Sequence, residues 1–174
     1  MRSRKNKRAG TAIVLAALVL GLAVIGPGPA LAHAGGTDRP VMGTASGTAR
    51  FNLLTNSFMV ELTGTTTHVG LYSAHSEGSG AFAPDLTFAG TGEASIVAAN
   101  GDEIHATTTL TTSSFAPGAF EHTSTSVLTV TGGTGRFEDA TGTLTTHLDT
   151  TPIGVEGATV IAHAEGTIEG SVSY

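Results

Sequence analysis

Residues 131–143, TGGTGRFEDATGT, join two runs in which apolar and polar residues alternate, 121–130 and 142–150. The three glycines near the start of this stretch allow positive φ angles, which β-branched neighbours adopt only with strain. Residues 136–140 have room for about one helical turn, and Gly142 stands where a left-handed helix stop is expected. The stretch therefore predicts a strand, a glycine corner, a short helical lid and a second strand. This pattern indicates a fold and not a catalytic site.

The first 32 residues have the features of an export signal. Five basic residues precede 12–25, an uncharged apolar run that is about the length of a signal-peptide core and short for a membrane span. The triplet Ala30-Leu31-Ala32 matches the small-x-small pattern of a cleavage site. We expect cleavage after Ala32 and a secreted, extracellular protein. An uncleaved membrane anchor is the alternative.

The charge of the chain limits its possible partners, and its lack of cysteine limits how the fold can be stabilised. The leader holds five of the eight basic residues and no acid, so residues 33–174 keep three cations against 14 acids, a formal charge of −11. Such a surface repels phosphate backbones and anionic membranes. We therefore expect no nucleic-acid partner, and no membrane partner after cleavage. The chain has no cysteine, so its stability must come from burial and from a closed hydrogen-bond ladder.

Beyond a glycine-rich arm at 33–42, which we expect to be flexible, residues 43–174 alternate with a period of two. Apart from the turn after Gly135, no window of 11 or more residues shows the pattern of an amphipathic helix. Threonine fills the polar phase, as suits a half-solvated strand, and Asn100-Gly101 marks a tight hairpin. About eight strands separated by turn residues predict an all-β, antiparallel barrel or a β-sandwich. Glycines inside strands, at 47, 90, 92, 166 and 170, favour the barrel because they let strands coil sharply.

Four short motifs occur in order along the chain: THVG at 67–70, ANGD at 99–102, GGTGRF followed by ATG at 132–142, and GTI at 166–168. Over most of residues 33–174 this set resembles a group of uncharacterised secreted bacterial β-proteins. The glycine corner and the last strand are also similar to the eight-stranded barrels of allene oxide cyclase and dirigent proteins. The resemblance implies a calycin-like barrel with one open end and an apolar lumen. No catalytic motif of the plant enzymes aligns here, so the resemblance implies no catalytic residue.

His122 is the first candidate for contact with a ligand. It shares the apolar phase of its strand with Leu128 and Val130, which would direct its imidazole into the barrel near one end. A hydrogen-bonded core histidine is the alternative. The remaining strand histidines share polar faces with acids and are expected on the surface: His105, His147 and His163.

His68 and Tyr72 are the next candidates. The two share a strand face if the strand is regular, and they point outward if Val69 and Leu71 fill the interior. A bulge at Gly70 would turn one of them inward. Together with His122 they would then form a ring of polar groups at a barrel mouth, which is typical of a small-molecule site.

Arg136 is one of three cations left after cleavage. It could pair with Glu138 or Asp139, bond carbonyls of the glycine corner, or hold an anionic head group. No nucleophile motif or phosphate loop accompanies it. An N-terminal His33 could offer copper an amine and an imidazole, but the glycines that follow argue against a preorganised site. We predict no metal and no cofactor.

Three functional hypotheses remain. The first is a secreted barrel that binds a small apolar or amphipathic molecule in its lumen. The alternatives are a non-catalytic structural or cell-surface protein with a filled barrel, and an isomerase-like or cyclase-like enzyme. Small residues at 90, 92, 94, 162, 164 and 166 favour binding, because they leave volume inside an eight-stranded barrel.

Overall fold

A computed structural model describes residues 36–115 and 120–174. The predicted signal peptide 1–32 and the first residues of the predicted arm lie outside this part of the chain. The described residues form eight antiparallel strands that follow one another around a single closed barrel. The strands are β1 Asp38–Asn52, β2 Ser57–Thr66, β3 Gly70–Phe82, β4 Phe88–Ala98, β5 Glu103–Thr112, β6 His122–Gly133, β7 Thr141–Glu156 and β8 Thr159–Ser173. The predicted eight-stranded barrel is confirmed, and the sandwich alternative is wrong.

The barrel is closed by its first and last strands, which pair along their whole length from Asp38 opposite Ser173 to Asn52 opposite Thr159. Two ends result. The β2–β3 and β4–β5 turns and the β6–β7 connection lie at one end, which we call the corner end. The other four connections lie at the opposite end, which we call the phenylalanine end for the residues described below.

Alternation along each strand separates core from solvent. In β5, every second residue from Ile104 to Thr112 is buried, and the exposed positions between them include His105, Thr107 and Thr109. β-Branched residues suit a pleated surface with one wet face. Threonine therefore supplies the outer wall, while Val, Leu, Ile, Ala and Phe supply most of the interior.

Glycines let neighbouring strands approach closely where the barrel curves. A Cβ atom on Gly47 would overlap the carbonyl oxygen of Glu61 on β2, and one on Gly166 would overlap that of His147 on β7. Only glycine leaves these backbones room to meet, as the sequence predicted for strands that coil sharply.

The glycine corner contains a shorter helical segment than the sequence predicts. After β6 the chain makes a single 3₁₀ turn, Gly135–Phe137, which buries Phe137 completely. Gly142 is not a left-handed helix stop. It lies in β7 with a φ of +145°, where a Cβ would overlap the carbonyl oxygen of Ser171 on β8. No helix among the described residues is long and apolar enough to cross a membrane.

The start of β1 also differs from the prediction. The flexible arm was expected to extend to residue 42, but β1 begins at Asp38 and pairs at once with β8. Val41 is only 1% exposed and packs in the core. Although this region of the sequence contains glycines and a proline, Val41 is a core residue. Residues 38–42 therefore belong to the barrel.

Candidate functional site

The barrel contains a small cavity near its middle, with a volume of about 40 Å³. Aliphatic side chains that include Leu62 and Ile96 line one side of it, and the hydroxyl-bearing residues Thr108, Ser126 and Thr146 line another. One water molecule needs roughly 10–15 Å³ on this measure, so the cavity has room for only a few waters. The small-molecule sites of proteins are concave pockets many times larger.

Aromatic rings occupy the space beside two of the strand glycines, Gly78 and Gly90. A Cβ on Gly90 would lie 2.9 Å from Cε1 of Phe88, and one on Gly78 would lie 2.7 Å from Cζ of Phe58. Glycine thus accommodates a neighbouring ring at these positions. At Gly90, one of the small residues from which space for a guest was predicted, that space is occupied by the protein's own side chains.

Six of the seven phenylalanines gather at the phenylalanine end. Their ring centroids are 5.0–6.3 Å apart and their planes are steeply inclined, which is the favourable edge-to-face geometry. The cluster consists of Phe51, Phe58, Phe82, Phe88, Phe115 and Phe120. It fills this end of the lumen with aromatic side chains from β1 to β4 and from the β5–β6 connection.

His122 lies inside this cluster, where the alternation of β6 predicted it. The residue is 7% exposed, and its imidazole packs 4.2 Å from the ring of Phe115 and 5.4 Å from that of Phe51. Its Nδ1 lies 2.9 Å from the carbonyl oxygen of Phe120, to which the neutral ring donates. Its Nε2 is buried and has no hydrogen-bond partner in the described part of the chain. Burial lowers the pKa of His122, and the bond to Phe120 only partly offsets this.

His68 and Tyr72 do not share a face. His68 is exposed in the β2–β3 turn with a φ of +65°, and Gly70 follows with a φ of +83°. These two left-handed residues reset the alternation, so that Val69 and Tyr72 are both buried while Leu71 is 61% exposed. The turn, and not a bulge within a strand, directs Tyr72 inward.

Tyr72 has a structural partner. Its hydroxyl donates to the carbonyl oxygen of Thr44 on β1 over 3.1 Å, and burial raises its pKa to about 12. It packs in the apolar cluster that holds Phe137 and Val130, near the corner end. His122 begins β6 at the other end. The predicted polar ring of His68, Tyr72 and His122 is therefore not formed.

Arg136 connects three turns of the corner end. Its Nε lies 3.5 Å from Oδ2 of Asp102 in the β4–β5 turn, and its Nη2 donates to the carbonyl oxygen of Val69 over 3.2 Å. The guanidinium also lies 4.6 Å from the ring centroid of Phe137. The predicted partners Glu138 and Asp139 are not used, because Asp102 reaches the corner from its own hairpin.

Histidines on the outer wall lie beside acids two residues away. His105 lies 3.1 Å from Glu103, and the nitrogen–oxygen distances of the pairs His75–Glu77 and His163–Glu165 are both 3.6 Å. Within residues 36–115 and 120–174, no three His, Cys, Asp or Glu side chains are arranged to hold a metal ion.

The luminal hydroxyls were not among the predicted site residues. Thr108 and Thr146 occupy the apolar phases of β5 and β7, so their inward position was predictable. Their role as cavity lining was not, because threonine is frequent in both phases of these strands. The sequence feature that could have identified these residues is a hydroxyl-bearing side chain at a position in the apolar phase of its strand.

These features define the class of protein: a closed, eight-stranded antiparallel barrel whose lumen is nearly filled by side chains. Comparison with known proteins found no matching family model, no similar curated protein and no similar solved structure. The resemblance to secreted bacterial β-proteins and to allene oxide cyclase and dirigent barrels remains a prediction.

Proposed function

We propose that this protein is a secreted, non-catalytic barrel with a filled lumen that serves a structural or cell-surface role. The observation that carries the proposal is the luminal cavity of about 40 Å³, which has room for water and not for an organic guest. The aromatic cluster around His122 supports it, since those rings fill one end of the lumen.

The outer wall supports the same proposal. Closure removes the free strand edges through which sheets aggregate. The wall presents threonine and acids, and residues 33–174 carry a formal charge of −11. A barrel of this kind remains dispersed at high concentration, which suits a protein released outside the cell.

Binding of a small amphipathic molecule in the lumen is the second candidate. It is favoured by the pairing of an aliphatic wall with luminal hydroxyls, which would contact the two sides of such a guest. The guest would have to displace side chains, and His122 and Tyr72 are the predicted contacts that lie inside. His68 and Arg136 lie at the corner end, away from the cavity lining. An isomerase-like activity has less support, because the titratable groups of His122 and Tyr72 lie at opposite ends.

Native mass spectrometry of protein purified from its own culture medium distinguishes the candidates. The filled barrel predicts the mass of the chain from His33 to Tyr174 alone, and no displacement or uptake of an apolar fluorescent dye. A co-purifying small molecule, or saturable dye binding that His122→Phe weakens, would favour the luminal site. The same spectrum tests secretion, since a chain that keeps residues 1–32 would contradict cleavage after Ala32.

A further inference from the structure

The lumen is chemically divided around its circumference. The inward positions of β1 to β4 are almost entirely apolar, whereas those of β5, β6 and β7 include a set of polar residues. We call this set the polar stripe, and it consists of Thr108, Thr112, His122, Ser124, Ser126, Thr146 and Thr150. Polar groups in a protein interior are almost always hydrogen-bonded, so each member needs a partner.

The cavity lies against the middle of the polar stripe. Thr108, Ser126 and Thr146 all line it, and Ser126 stands directly opposite Thr146 in the β6–β7 ladder. Thr108 is 3% exposed, and its Oγ1 is fully buried with no hydrogen-bond partner among residues 36–115 and 120–174. A hydroxyl that loses its hydrogen bonds to water on folding and gains no new partner destabilises the folded state.

We infer that the cavity is a water-binding site, in which ordered water hydrogen-bonds to the Thr108 hydroxyl and to those of Ser126 and Thr146. The volume and the lining meet both conditions for internal water: space for at least one molecule, and two to four polar partners. Dry cavities in proteins are lined by apolar groups alone, and this one is not. The inference holds whether or not a larger guest ever enters.

The site has a direct test in a high-resolution crystal structure of the secreted protein and of two matched variants. Thr108→Val keeps the shape of the side chain and removes the hydroxyl. Thr109→Val makes the same change on the exposed neighbour of the same strand. We expect ordered water beside Thr108 in the wild type and in Thr109→Val, and its loss or displacement in Thr108→Val.

Thermal unfolding provides an independent test, because a hydrated cavity and a dry cavity predict changes of opposite sign in the Tm of Thr108→Val. If water satisfies the hydroxyl, Thr108→Val loses a hydrogen bond and its Tm falls relative to Thr109→Val. If the cavity is dry, the same change removes an unpaired polar group and Tm rises. An empty cavity in the wild-type density together with a raised Tm would overturn the inference. Density for an organic molecule there would overturn it as well, and would also contradict the filled barrel.

Discussion

The imidazole of His122 lies against the ring of Phe115, with 4.2 Å between centroids and 36° between planes. Phe51 flanks it on another side, and Phe120 supplies the only hydrogen bond that the ring makes in the described structure. Thr150 stands opposite His122 on β7, and the nearby acids, Glu121 before β6 and Asp149 opposite Thr123, are exposed on the outer wall. A positive charge on this ring would therefore lack a countercharge.

Acid should destabilise the protein through His122. Because burial lowers the pKa of the folded imidazole below its usual 6.5, the unfolded chain binds the proton more readily. Stability is then fully present above about pH 6.5 and declines as pH falls through that value toward the lower folded pKa. Urea unfolding between pH 7.5 and pH 5 measures this slope.

His122→Gln should flatten the slope, because the variant lacks the buried imidazole whose pKa is lowered. Asp85 does not contribute to this slope, because hydrogen bonds from Thr87 lower the pKa of its carboxyl. An unchanged slope in His122→Gln would show that the ring is not the responsible group.

Glycine at the closest strand contacts should not tolerate a methyl group. In Gly166→Ala the new Cβ would overlap the carbonyl oxygen of His147, and relief requires β7 and β8 to separate. We expect a loss of stability of about 1–3 kcal/mol or more, as for other overpacked sites. Gly154→Ala is the matched control, because nothing lies within 4 Å of its added methyl, and it should be neutral or slightly stabilising. Equal urea midpoints for the two variants would contradict the close contact.

The Arg136 contacts should matter more than the other arginine–acid pair. Arg136→Ala removes the pair with Asp102 and the hydrogen bond to Val69, and we expect a loss of about 1 kcal/mol. Arg50→Ala breaks a 3.9 Å pair with Glu156 in which both side chains are largely exposed, and should cost less than about 0.5 kcal/mol. Chemical unfolding at low and high salt measures both. A larger loss in Arg50→Ala would contradict the structural role of Arg136.

Tyr72→Phe tests the hydroxyl that joins β3 to β1. It removes the bond to the Thr44 carbonyl, and we expect a loss of about 1 kcal/mol. The wild type should also show a phenolate absorbance change at about pH 12 that the variant lacks, because burial disfavours the anion. Since the folded pKa is raised, stability should fall as pH rises above about 10. If Tyr72→Phe instead removes an absorbance change at about pH 10, the phenol of Tyr72 is solvated in the wild type.

The barrel was predictable because alternation survives in every strand. In β6 the outward positions include Thr123, Thr125 and Thr129, and the inward position of His122 followed from the phase that it shares with Leu128 and Val130. The start of β1 was not predictable in this way, since Val41 stands among polar and small residues and its burial depends on pairing with the distant β8.

The candidate site was less predictable for two reasons. The face of Tyr72 depends on a positive φ at His68, a non-glycine residue whose type gives little sign of it. The lumen volume depends on where rings from other strands lie, as Phe88 does over Gly90. The alternation pattern shows on which face of the sheet a residue lies. It does not show how much space the other side chains leave on that face.

The pairing of β1 with β8 sets the order of events in folding. The two strands meet along fifteen residue pairs, yet they lie at opposite ends of the described sequence. Each other ladder joins neighbours and forms locally, but the ring has two open edges until the last strand arrives. Such long-range contacts slow folding. The hydrogen-bond ring therefore closes only once β8 has been synthesised and has reached β1.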